Sequence, residues 1–258
     1  MIKRLLLATA ILAFSAQGHA ADNIPKDPYD SPMWEYLAEE TFGDAKVVVD
    51  ERVKIFAPVD AESNFQVPVS VDASALGDVE EIVLMTDLNP FPIAARFYPM
   101  QAKPAFGTRV KLNEASVIHA IAKTKDGVWH MNGTFVMAEG GGCAAAPQQM
   151  ASSDWADHLL EARGQVWQRG DTQRLRIHLN HPMDTGLSGD VPVFYVEEIN
   201  VHDENGNVIS RFKPKEPVSE NPVLTLDFPN RNQPSLRVSG RDNNANEFNV
   251  NVPRHPES

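Results

Sequence analysis

From Val47 onward, apolar and polar residues alternate with a period of two along most of the chain, which is the spacing that lines one face of a β-strand. Strands are predicted at Val47–Val49, Val53–Ile55, Phe65–Val71, Glu81–Met85, Arg96–Tyr98, Phe106–Leu112, Val117–Ala122 and Val128–Val136. Clusters such as Asn89-Pro90 and Lys125-Asp126-Gly127 separate them as turns. A second series follows at Leu159–Trp167, Arg174–Leu179, Val191–Val201, Val208–Phe212, Val223–Phe228, Leu236–Ser239 and Phe248–Val252. Within it, Asp203-Glu204-Asn205-Gly206 predicts a hairpin turn, because Asn-Gly reaches positive φ at low steric cost. Short strands at this spacing predict an all-β protein of two Ig-like antiparallel β-sandwich domains. Strands do not alternate with helical patterns, which argues against nucleotide-binding α/β folds.

Two stretches break the alternation. Ser31-Pro32 precedes Met33-Trp34-Glu35-Tyr36-Leu37, with Gly43 beyond, so one short N-terminal helix is predicted. Ser31 would be its N-cap, Pro32 its first residue, and Met33, Trp34 and Leu37 its apolar face. Residues 139–153 hold no large apolar side chain except Met150 and have the composition of a flexible Gly/Ala arm. The predicted organisation is a leader at residues 1–20, a lead-in with the helix at 21–45, one sandwich at 46–138, the arm at 139–153 and a second sandwich at 154–258.

The first twenty residues join a basic start (Lys3, Arg4) to an apolar run from Leu5 to Phe14 and small residues at Gly18-His19-Ala20. That pattern predicts a cleaved signal peptide and a periplasmic mature protein with no membrane anchor. The 258-residue chain has a formal net charge of −12, and loss of Lys3 and Arg4 makes the mature form more acidic. Such a surface repels nucleic acid and favours encounter with basic protein partners.

Composition then points to one residue. The chain has a single cysteine, Cys143, so no intramolecular disulfide and no Cys-based zinc cluster can form. An unpaired cysteine in an exported protein is a reactive thiol or an intermolecular bridge, here a disulfide-linked homodimer. Gly140, Gly141 and Gly142 precede it, and Ala144-Ala145-Ala146-Pro147 follow. These small neighbours predict an unshielded sulfur, with the three glycines as a swivel. No Lys, Arg or His lies within ten residues to activate it, which suits a carrier better than a thiol enzyme with its own base. His119 and His130 fall in adjacent strands, while His178 and His181 sit three apart at a strand end without a third ligand. No metal site, cofactor or catalytic residue is therefore expected, and no phosphate-binding, dinucleotide or Gly-x-Ser-x-Gly motif occurs.

Two stretches carry a resemblance. Asn89-Pro90, Thr108-Arg109-Val110-Lys111-Leu112 and a closing strand running into Gly-Gly-Cys make residues 81–143 resemble SoxY, the sulfur-substrate carrier of periplasmic thiosulfate oxidation. His181-Pro182-Met183-Asp184-Thr185-Gly186, with Pro217 to Leu226, makes residues 160–252 resemble its partner SoxZ. The two in one chain are similar to the fused SoxYZ-like carriers associated with quinoprotein (PQQ) dehydrogenases. The resemblance implies a tight pair of sandwiches and a covalent sulfur adduct on Cys143. It implies Sox-type enzymes, quinoprotein dehydrogenases or c-type cytochromes as partners, and a structural or interface role for His-Pro-Met-Asp-Thr-Gly. The family's arm ends its chain as Gly-Gly-Cys-Gly-Gly, whereas here a second domain follows, so this arm is tethered at both ends. The alternative is a non-covalent accessory module for such a dehydrogenase or its cytochrome, with Cys143 peripheral.

Overall fold

The computed structural model describes residues 23–151, 153–189, 192–229 and 234–255; the signal-peptide reading falls outside them. One helix, α1 (Trp34–Phe42), precedes eight strands: β1 (Val47–Val49), β2 (Lys54–Phe56), β3 (Val67–Asp72), β4 (Val79–Thr86), β5 (Ile93–Tyr98), β6 (Ala105–Val110), β7 (Ser116–Thr124) and β8 (Trp129–Val136). After the arm come β9 (Ala162–Arg169), β10 (Thr172–Leu179), β11 (Val196–His202), β12 (Val208–Pro214), β13 (Val223–Pro229), β14 (Ser235–Asp242) and β15 (Glu247–Pro253). The alternation thus located the strands, as in β3, where Val67, Val69 and Val71 are buried and their neighbours exposed. The Asp203–Gly206 turn forms as expected, with Gly206 at φ 85° and its N–H donating to Asp203 O.

The strands form two sheets, and both run through the two halves of the sequence. One has the order β1-β8-β7-β4-β5-β12-β11-β14-β15 and the other β2-β3-β6-β13-β10-β9. β5 pairs antiparallel with β12 (Phe97 opposite Phe212), and β6 pairs antiparallel with β13 (Phe106 opposite Leu226). Over this seam Phe97, Phe106 and Phe212 meet at ring separations of 5.2–6.5 Å. The halves are therefore joined by main-chain ladders and a shared apolar core, in addition to the arm.

A second, smaller core lies on the outer face of the larger sheet. Trp34, Leu37, Ala38 and Phe42 of α1 cover Val83, Met85, Ile121 and Met131, so β4 and β7 are buried on both faces and read as continuous apolar runs. Gly43 ends the helix at φ 55° with its N–H on Glu39 O. Its start differs from expectation: the helix begins at Trp34, and Ser31 is not a side-chain cap. The Ser31 hydroxyl instead donates to Asp87 Oδ2 at 2.5 Å. Asp87 and Asp27 flank His119, which is wholly buried, with Nδ1 3.0 Å from Asp87 and Nε2 3.0 Å from Asp27. Burial opposes charge on this imidazole, but the two carboxylates prevail and hold its pKa at about 9. The lead-in is thus fastened to the sheet by a buried imidazolium between two carboxylates.

Candidate functional site

Beyond β6 the chain continues as Lys111-Leu112-Asn113, and this strip is where the arm returns. Asn89 holds the strip in place: its Nδ2 donates to Lys111 O, and its Oδ1 accepts from Asn113 N, both at 2.8 Å. Leu112 N donates to Asn64 O at 2.8 Å. Onto this strip the arm docks by its own backbone, Gly141 N donating to Asn113 O at 2.8 Å and Gly142 N to Leu112 O at 3.0 Å. The Asn64 side-chain amide donates to Gly140 O. From the second half, Thr185 Oγ1 donates to Cys143 O at 2.5 Å.

The glycines make this approach possible. A Cβ on Gly142 would stand 2.3 Å from Asn64 O and 2.6 Å from Leu112 O, and both are backbone atoms that cannot swing aside. Gly140 has φ 104°, and a Cβ there would meet Asn113 O at 2.8 Å. The residues predicted as a swivel are, in this conformation, what lets the arm lie against the strip.

The position of the sulfur corrects the expectation of an unshielded thiol. Cys143 is buried, 1% exposed. Its small neighbours leave room for the surrounding chain to close over it, while Gly141 on one side and Ala144, Ala145 and Ala146 on the other are exposed. Nor does the segment run as free coil: a short 3-10 turn forms at Gln148–Ala151, and another follows just beyond the arm at Trp155–His158. Burial pushes the thiol's pKa up to about 11, with Lys111 opposing.

Lys111 is the residue that sequence reasoning passed over. It is 7% exposed, and its Nζ donates to Met183 O at 2.5 Å. Burial lowers its pKa to about 8, with Cys143 foremost among the groups that raise it. The available signal was a lysine between Val110 and Leu112, both apolar and inward-facing. Thr185 and Met183 belong to His181-Pro182-Met183-Asp184-Thr185-Gly186, so this segment of the second half fastens an arm belonging to the first. Within it, Met183 N donates to His181 Nδ1 at 3.0 Å, and Asp184 Oδ1 accepts from Gly186 N at 2.7 Å. His181 packs against Phe194, ring centroids 4.4 Å apart and tilted by 52°, and is kept neutral, its pKa lowered to about 4 by burial. It is a positioned turn residue. His178 lies apart on β10, and His130 pairs with Asp50 at 2.8 Å. Among the described residues no three His, Cys, Asp or Glu side chains are grouped to hold a metal ion, and no helix is long and apolar enough to cross a membrane.

The family comparisons coincide with this geometry. Residues 38–143 match the family described as sulfur oxidation protein SoxY, and the match closes on Cys143. Residues 163–253 match the family described as sulphur oxidation protein SoxZ. The chain thus carries a SoxY family domain and a SoxZ family domain in one polypeptide. Among solved structures, the sulfur carrier protein SoxY from Chlorobium limicola f thiosulfatophilum is similar at 22% identity, covering 40% of this chain and 89% of that one, with a TM-score of 0.37. Comparison with curated protein sequences gives no match. In SoxY and SoxZ terms, the arm docks on the SoxY half and is pinned by the SoxZ half.

Proposed function

We propose that this chain is a periplasmic covalent carrier that holds a sulfur-containing intermediate on Cys143 and presents it to partner oxidoreductases. The observation that carries the reading is Cys143 itself. It is the sole thiol, it closes the SoxY match, and its arm is held by a few backbone bonds, the Asn64 side-chain amide and one threonine hydroxyl. Such contacts are individually worth about 1 kcal/mol, so the arm can leave its seat without disturbing either sheet. The thiol is protected while docked and reactive only when released, which leaves the chemistry to the enzymes it meets. Partners are Sox-type enzymes, or a quinoprotein dehydrogenase with its c-type cytochrome. A Cys143–Cys143 bridge between two chains requires both arms to be out. Intact mass of protein taken from periplasm, with and without reductant, tests the proposal. A reductant-labile addition that disappears in Cys143→Ser is expected; an unmodified mass under all growth conditions overturns it.

The burial of the thiol favours a second reading, a non-covalent accessory module in which Cys143 is a packed side chain. On that reading Cys143→Ser leaves capture of the dehydrogenase or cytochrome intact, while charge reversals on the acidic surface abolish it.

A further inference from the structure

The outward face of the six-stranded sheet runs against the charge of the rest of the chain. β3 and β6 bury alternate residues, which turns Ser70, Asp72, Gly107 and Arg109 outward. β10 does the same with Arg174, Arg176 and His178, and opposite them on β9 stand Trp167, Gln165 and Arg163. With Lys54 and Arg169 the face carries six cations, against Asp72 and Asp227 on it and Glu161 at its rim. The whole chain, by contrast, has a net charge of −12. The only α-helix among the described residues packs on the other sheet and leaves this face open.

Several of these cations lack a close carboxylate. Arg174 is matched by Asp227 through two nitrogens, at 2.8 and 2.7 Å. Arg109 donates to the neutral Gln66 Oε1 at 2.9 Å, and Arg163, 82% exposed, lies 3.8 Å from Glu161. Among the described residues Arg176 has neither hydrogen bond nor ion pair. On the larger sheet Arg96, Arg211 and Arg241 instead stand 2.6, 3.4 and 3.2 Å from Glu81, Glu198 and Glu197. Half-buried His178 senses the difference: burial first, and then Arg109, Arg163 and Arg176, push its pKa below 6.5. Beside the arginines, Phe56, 62% exposed, walls a hollow of about 340 Å³ that Ala105 and Gly107 leave free of bulk. Aromatic side chains and arginines together are what protein interfaces favour.

We propose that this face is a docking surface for an acidic partner protein, its carboxylates received by Arg109, Arg163 and Arg176 and an apolar side chain entering the hollow at Phe56. The inference does not depend on the carrier reading. Guanidinium forks match carboxylates in shape as well as charge. An extended polyanion would also meet the acidic remainder of the surface, whereas a compact protein meets only the local surplus of cations. Six strands about 4.8 Å apart and some 20 Å long give a patch of about 500 Å², the size of a transient encounter.

The test uses a blocked heptapeptide of six glutamates around a central phenylalanine, and its glutamine counterpart. NMR titration of the full chain should show the glutamate peptide shifting amides of β6, β9 and β10, with affinity falling about tenfold between about 20 and 200 mM salt. Binding should raise the His178 pKa by about half a unit, because bound carboxylates offset the arginines. Arg176→Glu should weaken binding about fivefold, and Arg241→Glu on the larger sheet should not. Equal binding of the glutamine peptide, shifts centred elsewhere, or an unchanged affinity in Arg176→Glu would overturn the proposal. So would tighter binding at this face of single-stranded DNA, phosphatidylglycerol vesicles or inorganic sulfate, each of which would name a different occupant.

Discussion

Replacing Gly142 with alanine should unseat the arm. The added Cβ would lie 2.3 Å from Asn64 O and 2.6 Å from Leu112 O. Asn64 O is held by Leu112 N, and Leu112 lies between Lys111 O and Asn113 N, both bonded to Asn89, so relief must come from the arm. Docked, the thiol sits at about 11 against 9.0 for a free one, a gap worth about 3 kcal/mol. Near neutral pH that gap cuts the thiolate population about a hundredfold. The more basic thiolate is a better nucleophile and recovers about tenfold of this. Ionisation alone therefore predicts that Gly142→Ala reacts about tenfold faster with a small neutral disulfide such as dipyridyl disulfide. Shielding of the docked sulfur raises the expected factor to the order of a hundred. Labelling rates against pH, with circular dichroism to show that both sheets survive, make the assay. Equal rates in the two proteins, both profiles rising through the same pH near 9, would mean that Cys143 is not docked in solution and that the steric reasoning fails.

Thr185→Val removes one bond to Cys143 O, worth about 1 kcal/mol, so labelling should quicken about fivefold; no change would show that the second half does not pin the arm. His119 has a folded pKa raised to about 9 from 6.5, so its stabilising charge is fully present below pH 6.5 and is lost as pH rises through 9. Urea unfolding should show stability falling by about 2 kcal/mol between pH 6.5 and 8. Above 8 the slope should lessen, because Lys111, lowered from 10.5 to about 8, contributes in the opposite sense there; a flat profile up to 8 would refute the imidazolium assignment. Phe106→Ala should cost about 3–5 kcal/mol and shift a single cooperative transition for the whole chain, since Phe106 touches Phe97 on one side of the seam and Phe212 on the other. Two separate transitions, one unaffected, would show that the halves do not share a core.

What the sequence determined by itself was set by short-range chemistry. Period-two patterning located strands such as β3 and β10, Asn205-Gly206 marked the hairpin, and the Gly-Gly-Cys and His-Pro-Met-Asp-Thr-Gly motifs marked both families and the only thiol. What only the tertiary structure decided depends on residues far apart in the chain. Ser31 reads as a helix cap, yet its hydroxyl is taken by Asp87, 56 positions away. Continuity of the sheets across β5–β12 and β6–β13 is a pairing choice that alternation cannot specify, because either face-matched neighbour satisfies the same pattern. The composition of the arm correctly showed small, bendable residues, but bendability permits docking as readily as exposure. Whether Cys143 stands in solvent or lies buried beside Lys111 was settled by Asn64, Leu112 and Thr185, residues of both halves that the fold alone brings to one place.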